Sequence, residues 1–192
     1  MTATTNSLAA AGAAAVLTAA LAFPATATAA ANSAVTSIPS PQGTIEMHIN
    51  ADCAGTMCTF RTSANLLTPD GPIGFPGDTW ARQTITLRSS NRDVWQNASY
   101  SAPAGMPREL KGANHDNVLS KLYRSINTVE LSVTYFGGGP IERFTVDGES
   151  HPTNWSTGKP AGDDFIACSV IQVVFGGVNL TTPTACTQVA FN

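Results

Sequence analysis

From Thr44 onward the chain alternates apolar and polar residues with a period of two. Ile45, Met47 and Ile49 interleave with Glu46, His48 and Asn50, the pattern of a strand that buries one face. The same period predicts a strand from Cys58 through Phe60 towards Leu66, and another over 82–88, where Ile85 and Leu87 oppose Thr84, Thr86 and Arg88. Residues 94–100 read as one strand, with Val94, Ala98 and Tyr100 on one side and Trp95, Asn97 and Ser99 on the other. The clearest case is Val129–Phe136, after which Gly137-Gly138-Gly139-Pro140 ends the run. Residues 141–146 are expected to return beside it as a hairpin, and Asp147-Gly148 to form the next turn. Phe165–Phe175 is apolar at both parities and rich in β-branched residues, which predicts a central strand covered on both faces. Residues 184–191 would pair with it at a sheet edge, because Pro183 lacks a ladder donor.

One segment has helical spacing. Val118, Leu119, Leu122, Tyr123 and Ile126 recur at three and four residues, after Asp116 or Asn117 as N-cap. Its Lys121 and Arg124 read as an ordinary solvated face. The expected fold is therefore all-β: an antiparallel β-sandwich with at most one short helix. An immunoglobulin-like topology is the usual form of such a domain, but the Cys–Trp–Cys framework of true members is not supplied by the cysteine pairing expected below. The similarity is one of architecture only.

The first charged residue is Glu46, so all 10 basic and 13 acidic side chains follow the first 45 residues. Residues 8–23 form an uncharged, Ala-rich run ending at Pro24, and Ala25-Thr26-Ala27, Ala27-Thr28-Ala29 and Ala29-Ala30-Ala31 each suit a signal peptidase. Residues 1–31 are thus expected to be a cleaved signal peptide, although no Lys or Arg precedes the apolar run. A retained anchor is the alternative. It is disfavoured because alanine is weakly apolar and the run falls short of a span of about 20 residues. Residues 32–42, with Pro39 and Pro41, read as a flexible lead-in to a single domain over 43–192. The expected location is extracellular or in the cell envelope, with no stable membrane span once the signal is removed.

The four cysteines, Cys53, Cys58, Cys168 and Cys186, imply two disulfides in such a setting. Cys53 and Cys58 flank a hairpin-sized loop, and Cys168 and Cys186 are symmetric about Gly177. The expected pairs are 53–58 and 168–186. Zinc is a poor alternative, since no His pair follows. No metal or cofactor motif is found, and without a basic block nucleic acid is not an expected partner.

Candidate chemistry gathers in the loop 148–164, which carries His151, Trp155, Lys159, Asp163 and Asp164 between two strands. His151 as general base with Asp163 or Asp164 as its orienter would make a small secreted hydrolase. The ordinary reading of the two carboxylates is a solvated turn, since neighbours in an extended chain face opposite ways. Trp95 beside Asn97 pairs a stacking ring with an amide, the chemistry of sugar binding; its ordinary reading is packing. A stiff Gly/Pro loop over 67–80 presents Phe75 and Trp80, which more often cap the end of a β core. The expected function is a binding module for a protein or an envelope glycan. The alternatives are the hydrolase just described and a non-catalytic structural component of the envelope.

Overall fold

The computed structural model describes residues 30–112 and 127–190. The apolar–polar alternation sorts these residues into strands β1 (Ala30–Ser40), β2 (Gly43–Ala54), β3 (Met57–Thr68), β4 (Gly71–Ile73), β5 (Trp80–Arg88), β6 (Val94–Trp95), β7 (Asn97–Ser101) and β8 (Glu109–Gly112). They continue as β9 (Val129–Phe136), β10 (Thr145–Ser150), β11 (Thr153–Asn154), β12 (Phe165–Phe175), β13 (Val178–Thr181) and β14 (Ala185–Val189). A single 3₁₀ turn, Ile141–Phe144, is the sole helical element among the described residues. The expected helix over 118–126 and most of the expected signal peptide lie outside them.

Two antiparallel sheets pack face to face as a sandwich. One runs β1-β2-β3-β10-β7-β8, with β4 on the end of β3. The other runs β13-β12-β5-β9, with β14 also on β12. Between them lie Ile45, Met47, Ile49, Phe60 and Ala64 from one layer and Ile85, Leu87, Leu131, Ile171 and Val173 from the other. A polar thread crosses this core. Tyr135 donates its hydroxyl to Gln83 Oε1 at 3.0 Å, and Gln83 Nε2 donates to Thr62 Oγ1 at 2.6 Å and Ser169 Oγ at 3.3 Å. Burial pushes the Tyr135 phenol well above the ordinary tyrosine value, against a smaller opposing pull from Arg143, so it stays a neutral donor.

Five expectations change. Residues 32–42 are not a flexible lead-in. They form most of β1 and its turn into β2, paired from Ala30↔Cys53 to Ser40↔Gly43. Ala34, Thr36 and Ile38 lie half-buried on one parity. Thr36 Oγ1 donates to Pro183 O at 2.7 Å and Asn32 Nδ2 to Gln188 O at 3.0 Å, fastening this edge to the opposite sheet. Prolines are tolerated at an edge, where a missing N–H removes nothing from the ladder.

Residues 141–146 do not pair with β9. The three glycines lie flat on the loop ahead of β5, with Gly137 N bonded to Thr79 O, Gly138 N to Gly77 O and Gly139 N to Phe75 O. A Cβ on Gly138 would overlap the carbonyls of Phe75 and Pro76. The chain therefore crosses to the other sheet, where β10 pairs with β3 and β7. Asp147-Gly148 is no turn either, because both residues sit inside β10. Gly148 is glycine because the Phe60 ring fills the space a side chain would take. Lastly, residues 94–100 break at the buried Gln96 into β6 and β7, and one face of β12, not both, lies in the core.

Both disulfides form as expected, 53–58 and 168–186, leaving no free cysteine. The second depends on a detail beyond symmetry. The Gly176-Gly177 turn, with both φ positive (54° and 80°), pairs Phe175 with Val178. That register would set Cys168 opposite residue 185. Three residues, Thr182, Pro183 and Thr184, face two on β12, and this one-residue bulge shifts Cys186 opposite Cys168.

Candidate functional site

Trp95, Asn97 and the residues singled out in the 148–164 loop converge on one end of the sandwich. Leaving β5, the chain forms a loop over 89–93 and then β6; leaving β10, it forms β11 and the loop down to β12. These two segments zip together. Trp95 pairs with Thr153 and Val94 with Asn154. Trp155 N donates to Asp93 O at 2.8 Å, and His151 N donates to Asn97 O at 3.0 Å. Asn154 folds the tip by local side-chain bonding, accepting from Ser156 N at 2.9 Å and Thr157 N at 3.1 Å. Its own N–H reaches Lys159 O at 2.9 Å.

The two carboxylates act as braces. Asp164 Oδ1 accepts from Ser89 Oγ at 3.0 Å, Ser90 N at 3.0 Å and Ser90 Oγ at 2.7 Å, and Oδ2 accepts from Gln188 Nε2 at 2.8 Å. Burial alone would raise its pKa; the donors from Ser90, Ser89 and Gln188 outweigh it and hold the carboxyl below the usual aspartate range. Asp163 Oδ2 accepts from Asn91 Nδ2 at 3.0 Å. Both neighbours thus secure the same loop. Their recorded bonds run to Ser89, Ser90, Asn91 and Gln188, away from the hydrolase arrangement in which one of them orients His151.

The surface left above this scaffold is aromatic and polar. The rings of Trp95 and Trp155 lie 6.0 Å apart, inclined at 48°. Both are half-buried, and Trp95 packs on the core. The side chains of Asn97, His151 and Lys159 are exposed around them. Trp155 Nε1 is buried without a hydrogen-bond partner among the described residues. Beneath the pair, Ser150 Oγ donates to the fully buried Gln96 Oε1 at 2.8 Å. No cluster of three His, Cys, Asp or Glu side chains suited to a metal occurs among the described residues. His48 instead faces Glu46 at 3.3 Å on the outer face of β2.

Phe75, from the second candidate loop, is buried on Phe144 at 4.8 Å and Phe175 at 6.1 Å, and so caps the core at the far end. What the sequence reading missed was the bracing role of Asp163 and Asp164 and the inward Gln83. The latter had a signal, since it shares the parity of Ile85 and Leu87.

The fold and its surfaces define a class, an all-β sandwich with two hairpin disulfides and a braced aromatic end. No family model matches the chain, and no curated protein matches its sequence.

Proposed function

We propose that this chain is exported and works in the cell envelope or outside the cell as a binding module. Its contact surface is the end formed by residues 89–97 and 151–164. The observation that carries this reading is the Trp95–Trp155 pair, its rings 6.0 Å apart, held where the 89–97 and 151–164 segments are cross-bonded through Asp163, Asp164 and the Trp155 backbone. Preorganised aromatic groups bind without a large ordering cost. Two disulfides in a small domain support an oxidising location. Among the described residues no helix is long and apolar enough to cross a membrane. The ligand class is a protein or an envelope glycan. The hydrolase reading is less favoured, because Asp163 and Asp164 are engaged in holding the 89–91 loop.

The test is binding of the purified domain to isolated cell-wall fractions, read by co-sedimentation. Trp155→Ala is expected to weaken retention about tenfold, a loss of about 1.4 kcal/mol, while the melting temperature stays within a few degrees. Unchanged retention by this variant would remove the loop end from the proposal. His151→Ala should leave binding measurable and reveal no lost hydrolytic activity.

A further inference from the structure

At the opposite end of β5, on the outer face of the β13-β12-β5-β9 sheet, Val174, Trp80 and Phe136 stand directly across from one another. Their neighbours Val173, Ala81 and Tyr135 point into the core, so strand alternation turns this row outward. Phe136 is 74% exposed, unusual for a phenylalanine within a ladder, and Trp80 is half-buried. Adjacent strands lie about 5 Å apart, which makes the row a flat strip about 10 Å wide. Polar groups flank it in register. Asn179 lies opposite Val174, and two residues along each strand come Gln172, Arg82 and Thr134. Gln172 Nε2 donates to Asn179 Oδ1 at 2.9 Å and Arg82 Nε to Ser132 Oγ at 2.9 Å. These bonds do not use the Asn179 amide N–H groups, the Gln172 carbonyl, the Arg82 terminal N–H groups or the Thr134 hydroxyl, all carried by residues in register with the strip.

We propose that this strip binds a neutral, unbranched glycan, with sugar faces stacked on Phe136 and Trp80 and hydroxyls bonded to Asn179, Gln172, Arg82 and Thr134. Size and charge select that occupant. Two aromatic side chains bury about 150–250 Å² each, well under the roughly 800 Å² per partner of a stable protein interface. Two cations lie beside the strip, Arg82 and Arg143, whose Nη2 donates to Phe136 O at 2.7 Å, and Asp78 close by, holding Gly176 N at 3.1 Å, offsets part of their charge, so a polyanion finds no extended complementary field. A sugar chain needs ring faces and alternating donors and acceptors, and this row supplies both on backbone already fixed by three strands. The strip is independent of the loop end. It lies eight residues of β5 away, roughly 27 Å at strand rise.

The probes are chitopentaose and cellopentaose titrated into the disulfide-intact protein, followed by tryptophan fluorescence and calorimetry. Saturable binding of at least one is expected. Phe136→Ala should weaken it about tenfold or more, and Phe136→Tyr should retain it. Phe136 is largely exposed, so its alanine variant should fold; Trp80→Leu provides a second variant on the same strip. Absence of saturable binding by both sugars, or equal affinity in wild type and Phe136→Ala, would overturn the proposal. So would a dimer that Phe136→Ala converts to monomer, since the strip would then be a self-association surface. Cell-wall retention lost in Trp155→Ala but kept in Phe136→Ala would preserve the loop-end reading whatever becomes of this one.

Discussion

The two ends of the sandwich are closed by opposite means. Where β5 begins, Phe144 is fully buried between Phe75 at 4.8 Å and Tyr135 at 4.9 Å, with Phe175 behind, an apolar plug of interlocked rings. Where β5 finishes, the closure is a lattice of hydrogen bonds from Asp163, Asp164 and Asn154, topped by two half-buried indoles. Both disulfides lie towards this second end: Cys58 pairs with Cys53 and sits beside Ser150, and Cys168 is two residues along β12 from the partner of Arg88. The contrast teaches that the end closed by polar braces, with less apolar burial, is the one near which both covalent cross-links lie. The plug has no need of them.

The largest expected effect breaks the plug. Phe144→Ala should cost about 3–5 kcal/mol, the range for deleting a buried phenylalanine ring, measured as a shift in the urea midpoint at unchanged slope. Trp155→Ala, on the half-buried face of the other end, should cost distinctly less. If the two variants unfold at the same denaturant concentration, the ends do not differ as described.

Next in size come the disulfides. The 168–186 bridge spans 18 residues and the 53–58 bridge 5. The loop-entropy relation then gives about 3 kcal/mol for the longer and about 2 kcal/mol for the shorter when each pair is replaced by serine. Position sharpens the expectation. Hydrogen exchange in the reduced protein should rise first in residues 89–97 and 151–164, while 75–81 and 135–144 keep their protection. Uniform loss of protection would mean that the bridges serve the whole sandwich and not one end.

Much of this was legible in the chain because alternation reports burial directly. Ile45, Met47 and Ile49, or Val129, Leu131 and Tyr135, could face inward only one way once paired. The cysteine pairs were legible because hairpins make sequence symmetry spatial, though 168–186 needed the bulge at Pro183 that symmetry about Gly177 conceals. β1 was not legible. Its Ser, Thr and Pro residues have the composition of a linker, and an edge strand half-exposed on its inner parity needs few apolar residues. Gly148 and Gly138 misled for a shared reason. Each is small because something distant in sequence presses on it, the Phe60 ring or the Phe75 and Pro76 carbonyls, whereas a local reading sees only a turn. The site residues were found by type and loop position. Their roles were not, since bracing by Asp163 and Asp164 depends on Ser89, Ser90 and Asn91, more than 70 positions away.

The smallest expected effect tests the polar end through its charge. Asp164 is ionised more readily in the folded chain than in the unfolded one, because four donor contacts converge on its carboxylate. A carboxyl with a lowered folded pKa stabilises the fold at pH values above its unfolded value, about 3.9, and loses that contribution as pH falls through the folded value. Asp164→Asn keeps the shape and removes the charge, and with partial exposure its cost at neutral pH should be about 1 kcal/mol. The gap in melting temperature between wild type and variant should therefore be widest near pH 7 and close as the medium drops below pH 4, where the wild-type side chain becomes neutral too. Phe144→Ala supplies the control, since an apolar plug carries no charge and its deficit should persist unchanged across the same range. A gap for Asp164→Asn that stayed constant down to acid would mean the carboxylate braces through shape alone, and the electrostatic half of the contrast between the two ends would fall.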